Sequence, residues 1–248
     1  MIIKRLQWAG ALIESENTRI LIDPVYSSPN ADFFGKPKQP FSPLSDIQHA
    51  NAVLITHLHS DHFDPELIIK NLGKDILVLV PKGTEDIVKE KGLTHVIGMS
   101  VGDTYRLDNF TVIASHSVDG LGDDQVSWIL KDHAKTVIHC GDTLWHGYWA
   151  KMAKQYGPFD AALLPINGAI VYEPGEIHSH QPICLTPEQA VAAAKVLEAE
   201  LLIPIHYGSF HNPPIYYETD NLVERLQVAA ERESVEVRLL EHLEMIGV

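Results

Sequence analysis

Ala52-Val53-Leu54-Ile55-Thr56-His57-Leu58-His59-Ser60-Asp61-His62 runs an apolar segment straight into three imidazoles and a carboxylate. The apolar part reads as a strand over Ala52–Thr56. Residues i and i+2 of a strand point the same way, so a strand that persists lets His57 and His59 converge on one ion. Asp61 and His62 fall where the chain must turn before Pro65 opens a helix, which sets them beside the first pair. Such a donor set suits a borderline divalent metal such as zinc, which takes N and O ligands. Burying these groups without a metal would leave polar atoms unpaired. The alternative is a solvated histidine-rich loop.

Outward from this segment, short β-rich apolar runs alternate with helical patterns. Strands are expected at Ile2–Leu6, Arg19–Ile22, Ile76–Val80, Phe110–Ser115, Val126–Leu130, Thr136–Cys140, Ala161–Pro165, Leu201–Ile205 and Val235–Leu240. Helices are expected at Pro65–Leu72, Thr84–Lys91, Trp145–Tyr156, Pro187–Glu200 and Asp220–Glu233. The clearest helix start is Thr186-Pro187-Glu188-Gln189, where Thr186 caps, Pro187 suits the first turn and Gln189 completes a capping box. The run Leu201–Ile205 is apolar enough for a strand buried on both faces. The class is therefore α/β, a sheet covered by helices, in a single domain over residues 1–248. Two long loops, Pro24–Ser45 with Phe33, Phe34 and Phe41, and Ile166–Pro182 with Tyr172, His178 and His180, read as lids, pocket walls or surface excursions.

Composition narrows the partners. The chain has 248 residues, 45% hydrophobic and 21% charged, with 14 histidines, 2 cysteines and a net charge of -14. An acidic chain without a Lys/Arg cluster is not expected to bind nucleic acid. No apolar run approaches the ~18–20 residues that cross a bilayer, and the first residues lack the apolar core of a signal peptide. A reducing cytoplasm and a small-molecule substrate are the expectation.

The segment His57-x-His59-x-Asp61-His62 after an apolar strand resembles the signature of the metallo-β-lactamase superfamily. That family's pattern asks for a later His, an Asp after a strand and a further His after another strand. His116 closes one expected strand, Asp142 follows another in Cys140-Gly141-Asp142-Thr143, and His206 ends a third in Pro204-Ile205-His206-Tyr207-Gly208. The resemblance implies a four-layer αβ/βα sandwich holding two divalent ions, Zn2+ first and Mn2+ or Fe2+ as alternatives. By it, His57, His59 and His116 hold one ion, Asp61, His62 and His206 the other, and Asp142 bridges. Ile22-Asp23-Pro24 and Thr186-Pro-Glu-Gln-Ala190 are similar to the branch of ascorbate-phosphate lactonases and N-acyl-phosphatidylethanolamine phospholipase D-like hydrolases. Asp23 then either orients a ligand histidine or simply turns the chain at a strand end. The chain has no room for the large inserted domain of RNA-processing members. It carries His59 where flavodiiron oxidoreductases carry Glu.

The chemistry so implied is hydrolysis, in which a metal-bridging hydroxide attacks a small ester, lactone or phosphodiester. Asp61 and Asp142 are the catalytic carboxylates, Asp61 orienting the nucleophile and Asp142 setting the metal–metal distance. Tyr172, His178, His180 and Tyr207 are candidate substrate contacts, and His146 could reach the site from a helix start. Cys140 reads as a packed thiol. The other readings are an iron-dependent redox enzyme on the same fold, and a metal-stabilised binding or sensor module without turnover.

Overall fold

The computed structural model of the chain describes residues 1–26, 30–41, 47, 49–173 and 175–248. Pro29, Pro43 and Ser45 of the first expected loop, and Pro174 of the second, lie outside the described residues. One sheet has seven strands: β1 (Ile2–Arg5), β2 (Ala11–Ser15), β3 (Thr18–Ile22), β4 (Ala52–Leu54), β5 (Leu77–Pro81), β6 (His95–Met99) and β16 (Met245–Gly247), in the order β16-β1-β2-β3-β4-β5-β6. The second has six: β7 (Thr104–Leu107), β8 (Phe110–His116), β9 (Val126–Lys131), β10 (Thr136–His139), β11 (Phe159–Pro165) and β14 (Ala199–Ile205), in the order β14-β11-β10-β9-β8-β7. A small third sheet joins β12 (Ile170–Glu173), β13 (Ile177–His178) and β15 (Tyr216–Tyr217).

The two-residue period of the strands builds the layers. Ile20, Ile22, Leu54 and Leu79 meet Val112, Ala114, Trp128, Leu130, Leu163 and Ile203 in the core between the two sheets. The intervening residues Leu21, Val53, Val78 and Val80 face the other way, onto Ile68 of α2 (Pro65–Leu72) and Val88 of α3 (Glu85–Glu90). On the opposite side Ile113, Ile129, Ile138, Ala162, Leu164 and Leu202 pack with α4 (Trp149–Tyr156), α5 (Pro187–Val196) and α6 (Leu222–Glu233). Helix, sheet, sheet, helix is the four-layer αβ/βα order expected. β4 pairs parallel with β3 and β5, and β11 pairs parallel with β10 and β14. The connections that follow β4, β8, β10 and β14 meet at one edge of the sandwich.

Three expected elements change. Val235–Leu240 is not a strand: only Val237 bridges to Leu202, with Leu202 N donating to Glu236 O and Arg238 N to Leu202 O. The helix expected from Trp145 begins at Trp149, because Leu144 N is bonded to Val118 O and Thr143 Oγ1 accepts from Val118 N, which holds the preceding chain against the β8–β9 connection. The helix expected through Glu200 ends at Val196, where Glu198 turns to φ 56° and Ala199 enters β14. The short α1 (Ala31–Phe34), capped by the Asn30 side chain, was not expected and lies inside the first long loop.

Candidate metal centre

Asp23, just past β3, organises the histidine segment from beneath. Its Oδ1 accepts from Thr56 N at 2.8 Å, and its Oδ2 accepts from Thr56 Oγ1 at 2.6 Å and from His62 Nδ1 at 2.8 Å. Thr56 Oγ1 in turn lies 3.1 Å from His57 Nδ1, in place to accept from it. One buried carboxylate thus orients His62 directly and His57 through a hydroxyl, and turns each Nε2 away from Asp23, that of His57 lying 2.9 Å from His59 Nδ1. The turn is closed by His62 N and Phe63 N, both donating to His59 O at 2.9 Å. Asp23 both turns the chain, at φ 44°, and holds a histidine.

Two groups of donors result. His57, His59, Asp119 and Asp142 present ligand atoms all within 4.8 Å of one another, and Asp61, His62 and His206 form a second such group. Asp142 faces both: its Oδ1 is 3.8 Å from His57 Nε2, and its Oδ2 is 3.8 Å from His62 Nε2 and 4.0 Å from His206 Nε2. His62 Nε2 and Asp142 Oδ1 are buried without a hydrogen-bond partner among the described residues. Orphaned atoms are costly in a protein interior unless something binds them, and a His/Asp donor set of this kind fits a divalent cation.

The structure does not bring His116 into either group. Its ring stacks on Tyr148, with centroids 3.9 Å apart and planes 5° off parallel, and Lys151 Nζ approaches its Nε2 at 3.4 Å. Farther along the same connection Asp119 takes the place beside His59, its Oδ2 3.8 Å from Nδ1. The other oxygen of Asp119 accepts from Leu121 N and Gly122 N, both at 2.7 Å, which locks the carboxylate to its own loop. An Asp-Gly pair after a strand was the one sequence signal for it.

Asp61 is held from the far side of the core. Trp8, at the β1–β2 turn, donates its indole Nε1–H to Asp61 Oδ2 at 2.9 Å, while its carbonyl accepts from His206 N at 2.9 Å. Nothing local in the sequence marks Trp8 for this task. His139 lies under the Asp142 turn, its Nε2–H donating to Ala9 O at 2.7 Å and its Nδ1 accepting from Gly141 N at 3.2 Å.

Crowding shows in the protonation equilibria. Burial pushes Asp142 up to about 7, with Asp119 and Asp61 adding to the shift against the opposing pull of His62. Burial alone would lower His62, yet Asp61, Asp23 and Asp142 raise it to about 10. Burial, then His62 and His59, holds His57 well below the imidazole range. Burial takes His206 down to about 4. Carboxylates packed this closely are the arrangement that a bound cation relieves.

A cavity of about 220 Å³ opens onto the donors. His59, Asp61, Asp119, Asp142 and His206 line it together with Phe33, Phe34, Leu121, Ile183 and Tyr216, and with Asn30 and Ser60. The expected substrate contacts are elsewhere. Tyr172 and His178 sit on the exposed β12–β13 hairpin, where His178 stacks on His180 at 3.7 Å. Tyr207 packs under Arg5, whose guanidinium is 4.7 Å from the ring centroid. His146 stacks on Trp149 at 4.1 Å rather than reaching the donors. Cys140 is buried, and burial pushes its thiol up to about 12.

A domain model described as the β-lactamase superfamily domain matches residues 18–207, a span that contains every residue of both donor groups. The chain belongs to the metallo-β-lactamase superfamily. Its four layers are those of the metallo-β-lactamase fold. Among the relatives of this superfamily member, a UPF0173 metal-dependent hydrolase of Thermococcus kodakarensis is 29% identical over 220 residues, 86% of each chain. An isothiocyanate hydrolase from Delia radicum gut bacteria superposes with a TM-score of 0.78 at 19% identity, covering 100% of this chain and 99% of that one. CmlA, a diiron β-hydroxylase from Streptomyces venezuelae, superposes with a TM-score of 0.77 at 18% identity, covering 100% of this chain and 54% of that one.

Proposed function

We propose that this chain is a metal-dependent hydrolase with two divalent cations, one held by His57, His59 and Asp119, the other by Asp61, His62 and His206, and Asp142 between them. The observation that carries this reading is Asp142, whose two oxygens face the two histidine groups separately. When bound, such cations supply Lewis acidity and make water acidic enough to ionise near neutral pH. The chain's own residues prepare for that. Asp23 keeps His62 in the tautomer with Nε2 free, and Trp8 occupies one oxygen of Asp61 so that the carboxylate cannot rotate away from the site. Asp142 sets the spacing of the groups, and Asp61, at the cavity wall, orients the attacking water toward an ester, lactone or phosphodiester centre. Lactone and phosphodiester chemistry are those of the branch which the Asp23 and Thr186 motifs resemble. The partner is a small molecule: the acidic chain is a poor match for nucleic acid. Among the described residues no helix is long and apolar enough to cross a membrane.

Zn2+ suits the imidazoles, and the added carboxylate of Asp119 widens the choice toward Mn2+ and Fe2+, which accept oxygen ligands readily. The test is removal of metal with excess chelator, then return of Zn2+, Mn2+ or Fe2+ singly, reading hydrolysis of generic esters and phosphodiesters. Activity lost and then restored is expected; activity indifferent to chelation sinks the proposal. His59→Ala is expected to fold and to lose metal by elemental analysis, and full retention of two equivalents would count against the assignment.

A second reading, an iron-dependent redox enzyme, is favoured by the same Asp119 carboxylate and is the chemistry that the name of CmlA carries. Oxygen consumption by protein loaded with iron alone, with no hydrolysis under any metal, would select it.

A further inference from the structure

The cavity lining is of two kinds. The donors that would hold metal are one, and Phe33, Phe34, Leu121, Ile183 and Tyr216 are the other. Three of these are aromatic and touch each other: Phe33 meets Phe34 edge-on at 4.9 Å, and Phe34 lies 5.0 Å from Tyr216. The Tyr216 hydroxyl oxygen accepts from Asn167 Nδ2 at 2.6 Å, which fixes the ring in place. No Lys or Arg is among the described residues that line the cavity. The residues outside the described ones are Ser, Pro, Leu, Asp and Gln, none of them basic. Lys38, the basic side chain nearest in sequence to α1 apart from the exposed Lys36, is paired with Glu218 at 2.7 Å. At the mouth, His59 donates to the exposed Asp123 carboxylate at 2.7 Å, which adds negative charge where a ligand would enter.

We infer that the substrate's reacting group is turned to the metal side while the rest is one compact, uncharged, aromatic-sized group seated against Phe33, Phe34 and Tyr216. Building on the hydrolase reading, this makes everything in the substrate beyond the reacting group neutral, as in a simple ester or lactone, and excludes acids that carry a charge outside the reacting group. An aromatic wall receives a flat apolar group edge-on or offset, and the hydrophobic gain grows with the area covered. A second negative charge on the ligand would lose its water, find no cation and face Asp123. The volume also limits size: about 220 Å³ is below the roughly 300–1,000 Å³ of sites that enclose drug-sized ligands.

The experiment uses a matched pair of esters, 4-methylphenyl acetate and 4-carboxyphenyl acetate, on metal-loaded protein, and the matched amides 4-methylbenzamide and 4-carboxybenzamide for binding by ligand-observed NMR. The neutral ester is expected to exceed the charged one in kcat/KM by on the order of 100-fold, and the neutral amide alone to bind. Phe33→Ala should raise KM for the neutral ester about 10-fold with little change in kcat. Leu121→Lys, at an exposed position on the rim, should shift the preference toward the charged partner. Equal kcat/KM or equal binding for the two partners, with Phe33→Ala silent, overturns the substrate class and leaves the hydrolase standing. No hydrolysis of either ester, with selective amide binding still weakened by Phe33→Ala, overturns hydrolysis and supports the pocket.

Discussion

Asp61 shows how far a single side chain depends on distant support. Its Oδ2 accepts the Trp8 indole proton across 53 positions of sequence, and His206 Nε2 lies 3.3 Å from the same oxygen. Trp8→Phe keeps the ring and removes the donor. It is expected to weaken metal binding by about 10-fold or more, the usual effect of losing a group behind a ligand, as read by calorimetric titration of the cation into chelated protein. His146 gives a test that does not involve the donors. Burial, then the neighbouring His116, takes its imidazole down to about 4 from the ordinary 6.5, with the ring stacked on Trp149. The folded chain therefore prefers it neutral. As pH falls below 6.5 the unfolded chain takes the proton first, so this contribution to stability is lost progressively toward pH 4. His146→Phe should flatten the stability profile over that window, measured by denaturant midpoints at each pH; an unchanged slope would refute the assignment.

At the scale of elements, the β8–β9 connection decides which residue reaches the histidines. His116 ends β8 against Tyr148, and the chain runs on to Asp119, whose carboxylate is tied down by three amides of the following turn. Gly120 makes that course possible: a Cβ there would lie 2.2 Å from Ile183 O and 2.6 Å from Ile183 Cα, and backbone cannot step aside cheaply. Gly120→Ala is accordingly expected to push this connection off the 183–185 strand of chain, costing about 1–3 kcal/mol as overpacked substitutions do and lowering metal affinity together with Tm. A variant with unaltered metal titration and Tm would show that the close approach is not needed. α1 works in the same way for the cavity, since its four residues place Phe33 and Phe34 against Phe210 and Tyr216.

Across the whole molecule, the donors come from connections on both sheets, so the site is also a clasp between layers. β4 carries His57 from the seven-stranded sheet, while Asp142 and His206 follow strands of the six-stranded one. Thr56 O accepts from Val126 N at 3.1 Å where the two sheets meet. A ligand that binds only the folded state stabilises it by mass action, about 2.7 kcal/mol at 100 times its dissociation constant. Chelation should therefore lower Tm by several degrees for a chain of this length, roughly 2–4 °C per kcal/mol, and return of the metal should restore it. Identical melting curves with and without chelator would mean that the clasp carries no cation.

Five of the six helices and nine of the sixteen strands among the described residues were legible because burial writes its period into the sequence: Ile20-Leu21-Ile22 alternates between two layers, and Thr186 to Gln189 caps α5 with atoms that are neighbours in the chain. The four donor residues between His57 and His62 were legible because a strand followed by a tight turn gathers them locally, while Asp23 and Trp8, distant in sequence, hold them in place. Asp142 and His206 stood at strand ends where an ordered scaffold could bring them in, and the structure does so. The sequence pointed to His116 as a ligand and to Val235–Leu240 as a strand, and it left Asp119 unmarked beyond its Asp-Gly pair; the structure departs from each. Those choices depend on Tyr148, Lys151 and Ile183, which are remote in sequence and adjacent only after the sheets pack. Local spacing thus determined that this chain folds as a layered α/β protein around a histidine–aspartate centre. Tertiary contact decided which carboxylate of the β8–β9 connection stands beside His59 and which aromatic rings line the cavity, because the residues that set both meet only after the sheets pack.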